Sequence, residues 1–259
     1  MLDENGLCTI HAECGEEVQP AVCRRYPRAV HPGHPTEMVC ADSCEATVEL
    51  LMDEPTPLPF TEITGEITGN IPDFEVEHEE ERALRARCIA ILQENGIPLE
   101  RRMATLCAAL GVPFPYPDDG ALLIGVRELL LAFGRPGNSL SDLAREVLDT
   151  LSLRDGVTHQ SLTRYRELRV RFSALFPEAE GWYENLLVNH LFFIRFPRRD
   201  LPHAEAARAL SGACAILQAA TVCHAGRIGT REAFADAAAA VFRRIEHSNY
   251  YETAPHIMK

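Results

Sequence analysis

The chain lacks an excess of positive charge. Its 25 lysines and arginines stand against 38 aspartates and glutamates, for a formal net charge of −13 at pH 7. A protein that tracks phosphates needs a basic face, so nucleic acid is excluded as a partner class. A partner that presents lysines suits the acidic balance better. No run of apolar residues approaches bilayer length, and membrane insertion is not expected. Asp3 and Glu4 stand where a signal peptide carries positive charge, so the expected compartment is the cytoplasm. No Gly-x-Gly-x-x-Gly follows a strand-like run, which leaves a doubly wound nucleotide fold unsupported. Strand-like alternation and internal repeats are missing as well.

What is present is cysteine. Five of the nine fall in the first 44 residues, at Cys8, Cys14, Cys23, Cys40 and Cys44, interleaved with His11, His31 and His34. Nine is odd, so the chain cannot pair all its thiols internally, and in a reducing compartment clustered cysteines read as metal or redox groups. The spacing C-x5-C-x8-C-x16-C-x3-C matches neither the C-x2-C knuckles of zinc fingers nor the compact ferredoxin patterns. A metal or cluster and scattered free thiols are therefore about equally supported by spacing. An iron–sulfur cluster needs several thiolates, whereas zinc also accepts the histidines.

With 259 residues and 46% hydrophobic content, the chain can bury a sizeable core. Proline and glycine break up residues 1–44, where only a short helix around Glu13–Val22 is expected. Ser43 is placed to cap a helix carrying Val48, Leu51 and Met52, which Pro55, Pro57 and Pro59 end. A short strand is expected at Glu62–Thr68. Beyond residue 78 the apolar spacing is helical throughout: an acidic start at Glu75 to Glu81, then stripes through Leu84–Leu92, Leu99–Leu110, Leu122–Phe133, Leu143–Leu151 and Leu162–Leu175. Ser139 and Asp142 are spaced like a capping box. Tyr183–Phe196 is apolar on nearly every side and reads as the central buried helix. Pro202 opens a long helix to about Cys223, and the last begins near Thr230. The expected architecture is mainly α: a cysteine-rich segment at 1–60, a linker at 61–77 and an all-α body at 78–259, with the irregular lobe packed on the body.

The residue order adds a resemblance. Leu2-Asp3-Glu4-Asn5-Gly6-Leu7-Cys8-Thr9-Ile10-His11, Gly15-Glu16-Glu17, Cys23-Arg24-Arg25-Tyr26-Pro27-Arg28, Glu37 and Ser43-Cys44 follow one another as in the flagellin lysine-N-methylase (FliB) family. The likeness resumes at Asn185-Leu186-Leu187-Val188-Asn189-His190, Phe196-Pro197 and Arg244-Ile245-Glu246-His247-Ser248, while residues 55–180 match only in helical character. The cysteine-rich pieces are also similar to a wider group of zinc- or iron-chelating domains. The resemblance implies a methyltransferase that carries methyl from S-adenosylmethionine to lysine side chains of flagellin or another surface protein. It also implies an iron–sulfur cluster, of the 4Fe–4S type, at the N-terminal cysteines. Cys8, Cys23 and Cys44 fall on the family's cysteines; Cys14 and Cys40 take places that are usually apolar there and serve as replacement ligands or are incidental. Family members carry further cysteines ahead of the Asp3-Glu4-Asn5 stretch, so the chain reads as N-terminally short.

A lysine amine has a pKa of about 10.4, so the chemistry must desolvate it or set a base beside it. Tyr26, Glu246 and His247 are candidates, with Tyr250 and Tyr251 behind them. Tyr26 also reads as a packing residue in a turn, and the Glu246–His247 pair as capping groups at a helix end. Arg25 and Arg28, with Arg24, offer charge for an anionic ligand, or form a solvated face. Asn185 and Asn189 share one helix face and hold either a ligand or a neighbouring helix. His190 reads as a satisfied core histidine, and Cys88, Cys107 and Cys214 as small core residues. The rival to the enzyme is a non-catalytic metal-binding or interaction protein of the same descent, or a zinc-stabilised scaffold.

Overall fold

A computed structural model describes residues 9–15, 18, 20–33, 35–65, 77–198 and 200–258, apart from the side chains of His11, Ala21 and Arg24. Among these residues the chain is mainly helical. Two short helices come first, α1 (Thr9–Cys14) and α2 (Ala21–Arg25), rather than one across Glu13–Val22. Gly15 at φ +82° and Pro20 interrupt that span. An antiparallel hairpin follows, β1 (Arg28–His31) and β2 (Glu37–Cys40), with Arg28 opposite Cys40 and His31 opposite Glu37. Four residues per strand with prolines between them leave no alternation to detect. Residues 61–65 carry no regular structure, and the rest of the expected Glu62–Thr68 strand lies outside the described residues.

α3 (Glu45–Asp53) begins after Cys44, which occupies the N-cap without a side-chain bond. Ser43 is not the cap, because its hydroxyl faces Tyr26 and His247 instead. α4 (Glu79–Leu92) opens on the expected acidic turn, closed by a capping box between His78 and Glu81. α5 (Leu99–Ala109), α6 (Asp119–Phe133), α7 (Ser141–Thr150) and α8 (His159–Leu175) match the predicted stripes. No capping box forms at Ser139: the N-cap of α7 is Leu140, whose N–H Asn138 Oδ1 accepts. α9 (Ala179–Phe193), α10 (His203–Ile228), α11 (Arg231–Glu246) and α12 (Tyr250–Ile257) complete the chain.

α9 is buried on every side from Trp182 to Leu191, yet the hub is α10. It packs against α5, α6, α7, α8, α11 and α12. Its alanines, Ala206 through Ala225, let six neighbours approach one axis. Gly229 in the left-handed region (φ +89°) ends it five residues beyond the predicted Cys223. α10 is long and apolar enough to cross a bilayer, contrary to the expectation that no such run exists. That apolar surface faces the protein, with 89% of its most apolar window buried inside. A single core runs from Val48, Leu51 and Met52 of α3 to Ala254 of α12. Cys88, Cys107, Cys214 and Cys223 lie within it as small apolar residues.

Candidate functional site

The N-terminal segment is tied to the helical body by polar contacts around residues 40–44. Asn189, on α9, donates through Nδ2 to the carbonyl of Cys40 and to Oδ1 of Asp42, each at 2.8 Å. One turn earlier, Asn185 Nδ2 donates to the carbonyls of Leu51 and Glu54 at 3.0 and 3.1 Å. These are among the carbonyls that the end of α3 leaves without a helical partner. Both asparagines thus hold main chain.

From the opposite side, Glu246 accepts the N–H of Asp42 (3.2 Å) and of Ser43 (3.0 Å). A carboxylate ending a helix faces the negative end of the dipole; the two N–H groups compensate it. His247 Nε2 lies 3.1 Å from Ser43 Oγ, with Tyr26 Oη 3.5 Å from the same hydroxyl. Arg243 donates to the Ser43 carbonyl at 3.1 Å.

Beneath this clasp lies His190, with no exposed side-chain surface. Its Nε2 meets Tyr251 Oη at 2.9 Å, and its Nδ1 points at Glu246 Oε1 (3.4 Å) and Asp42 Oδ2 (3.8 Å). Burial pushes the Asp42 carboxyl well above the usual carboxylate range, and the charge of Glu246 pushes it further. The bond from Asn189 works against both. Burial likewise raises the Tyr251 phenol, which stays neutral.

Cys8 lies outside the described residues, as do His34 and the side chain of His11. Cys14 and Cys23 are exposed free thiols on α1 and α2. Cys40 and Cys44 are half-buried at either end of the Ala41-Asp42-Ser43 turn. Burial raises the Cys40 thiol and Cys44 adds to this, against the pull of Arg28 across the hairpin. Arg25 is exposed on α2, and Arg28 opens β1. Among the described residues, the one group of three metal-capable side chains with ligand atoms within 4.8 Å of one another is Asp42, His190 and Glu246.

The structure therefore brings Tyr26, Cys40, Cys44, Asn189, Glu246 and His247 into one neighbourhood, and joins Asp42 to them. Sequence reasoning missed Asp42. An acid beside Ser43-Cys44 before an apolar stripe reads as helix-start chemistry, and only its contacts reveal otherwise. What fold and site define together is a mainly helical protein with a buried carboxylate–imidazole junction between its first and last segments. Comparison of the chain with protein families, with curated proteins and with solved structures finds no match in any of the three.

Proposed function

We propose that the protein is a FliB-like lysine N-methyltransferase of the cytoplasm. It takes methyl from S-adenosylmethionine and an acceptor lysine from a flagellin-like protein, with an iron–sulfur cluster in the cysteine-rich lobe. The observation that carries this reading is the meeting of separated segments. Three of the stretches that resemble the family, at residues 43–44, 185–190 and 244–248, touch through Glu246 on Ser43, His247 on Ser43 and Glu246 on His190. Residues about 200 apart that share one junction are constrained as a unit, which accounts for a likeness at both ends and none in the middle.

In this reading Cys8, Cys23 and Cys44 would supply the thiolates that hold the cluster, with Cys14 and Cys40 as replacement ligands. The acceptor amine must lose its proton before transfer, at a cost of about 4–5 kcal/mol at pH 7. Glu246 is engaged by two N–H groups, so the accessible base is His247, which is exposed and stands beside Tyr26. The acidic surface favours a lysine-bearing substrate.

The rival, a non-catalytic metal-binding or interaction protein of the same descent, is favoured by one observation. Two shallow hollows, one beside Arg102 and Glu184 and one along α8 at Gln160 to Arg171, are lined by none of the residues of the resemblance.

The deciding experiment incubates the protein, purified without oxygen, with labelled S-adenosylmethionine and flagellin. Lys259 is its only lysine, so label on the acceptor separates cleanly from self-labelling. We expect transfer by the wild type, a loss of at least tenfold in Cys23→Ser, and bound iron with a brown charge-transfer band. Colourless, iron-free, folded protein without transfer would establish the rival.

A further inference from the structure

We propose that Asp42, His190 and Glu246 form a site for one divalent first-row transition-metal cation, held by one oxygen of each carboxylate and by Nδ1 of the histidine. The site is separate from the thiols and does not depend on methyl transfer.

Four observations carry it. The first is spacing. Oxygen and imidazole ligands sit about 2.0–2.2 Å from such a cation, which places neighbouring donors of a tetrahedral site about 3.4 Å apart. His190 Nδ1 lies 3.4 Å from Glu246 Oε1 and 3.8 Å from Asp42 Oδ2. A direct charge-assisted N–H···O bond would be about 2.7–2.9 Å. The His190–Glu246 contact is at the long end of hydrogen bonding, and all three ligand atoms lie within 4.8 Å of one another.

The second is an orphan. Asp42 Oδ2 is buried without any hydrogen-bond partner, on a residue with no exposed surface, and it faces the histidine. A buried lone acceptor is costly unless something fills its lone pair.

The third is charge. Two carboxylates with no side-chain exposure surround one imidazole. A divalent cation neutralises both, whereas two uncompensated buried charges are unfavourable. The fourth is the supporting shell. Nε2 of His190 lies 2.9 Å from Tyr251 Oη, a hydroxyl able to accept an Nε2–H and so leave Nδ1 free to bind a cation, Asn189 orients Asp42 Oδ1, and two main-chain N–H groups hold Glu246. One nitrogen and two oxygens suit zinc, iron(II) or manganese better than a soft ion.

Cobalt(II) titration of the full chain, followed by visible absorption, tests the site. We expect one equivalent to give d–d bands without thiolate charge transfer. The bands should persist when Cys8, Cys14, Cys23, Cys40 and Cys44 are replaced by serine. Affinity should fall at least tenfold in Asp42→Asn and measurably in Tyr251→Phe, which leaves all three ligands in place. A spectrum carrying thiolate charge transfer that disappears with the cysteines overturns the proposal, as does affinity equal in wild type and Asp42→Asn. Should Asp42→Asn fail to fold, the wild type decides alone: no stoichiometric cobalt(II), with His190 doubly protonated by nitrogen NMR, makes the cluster an ion pair. Since the spectrum separates oxygen–nitrogen from sulfur ligation, this outcome is independent of the methyltransferase assay.

Discussion

Asn185 serves the carbonyls of Leu51, Glu54 and Pro55 with one amide, and its removal leaves the buried Leu51 acceptor unmet. Asn185→Ala should lower stability by about 1–3 kcal/mol in urea unfolding, and Asn185→Asp by more, because a carboxylate would face carbonyl oxygens. His31 is a second sensitive residue. Burial, then Arg195 and Arg85, lower its pKa to about 4, against the opposing effects of Glu37 and a bond to the Phe193 backbone. The unfolded chain takes up that proton near pH 6.5 and the folded chain only near 4, so the unfolded state binds more protons between the two. Stability therefore falls as pH drops from about 6.5 to 4 and is flat in this respect above 6.5. The ring is partly exposed, so the slope should stay below about 1 kcal/mol per pH unit. Comparing urea midpoints of wild type and His31→Asn across that window isolates it; equal slopes would refute the assignment. Asparagine spacing on α9 was legible in the sequence, but the partners were not, since these contacts join residues more than 100 positions apart.

Among the elements, α6 and α7 approach closely at one point. A Cβ built on Gly134 would collide with Ala144 Cβ and come within 2.6 Å of the Leu130 carbonyl. Gly134→Ala should therefore destabilise by about 1–3 kcal/mol, although alanine is the better helix former; a raised melting temperature would contradict this packing. The hairpin depends on Arg85, buried on α4. Its guanidinium lies 2.7 Å from Glu37 of β2, 2.9 Å from Glu77 and 4.6 Å from the centre of the Phe192 ring. Arg85→Met removes one partner of a buried pair and should cost about 3–5 kcal/mol. Most helices of the body were readable because they bury one stripe at 3.6-residue spacing, and α9 and α10 because they are apolar nearly all round. The hairpin and α12 were not: strands of four residues carry no measurable period, and α12, with Pro255 inside it, continues past the predicted last helix.

For the whole molecule, thiol reactivity reports both folding and the division of the cysteines. Burial raises Cys88 to about 11 and Cys214 and Cys223 to about 12, so their thiolates are scarce at pH 8. Cys14 and Cys23 are exposed. Alkylation of the metal-free protein at pH 8, read by mass spectrometry, should label Cys14 and Cys23 first and the buried thiols only on global unfolding. Early labelling of Cys214 would mean that the core opens locally.

The amino-acid order by itself determined the class of fold, the acidic surface, the inward direction of most apolar stripes and the crowding of thiols at the front, because each is a local property of composition or period. Tertiary structure alone decided that α10 is the hub, since α9 is the more apolar by pattern and α10 wins by the smallness of its side chains. It alone decided, too, that Asp42 joins His190 and Glu246. Long-range pairing of buried polar groups depends on which helices lie side by side, and that order leaves no periodic trace along the chain.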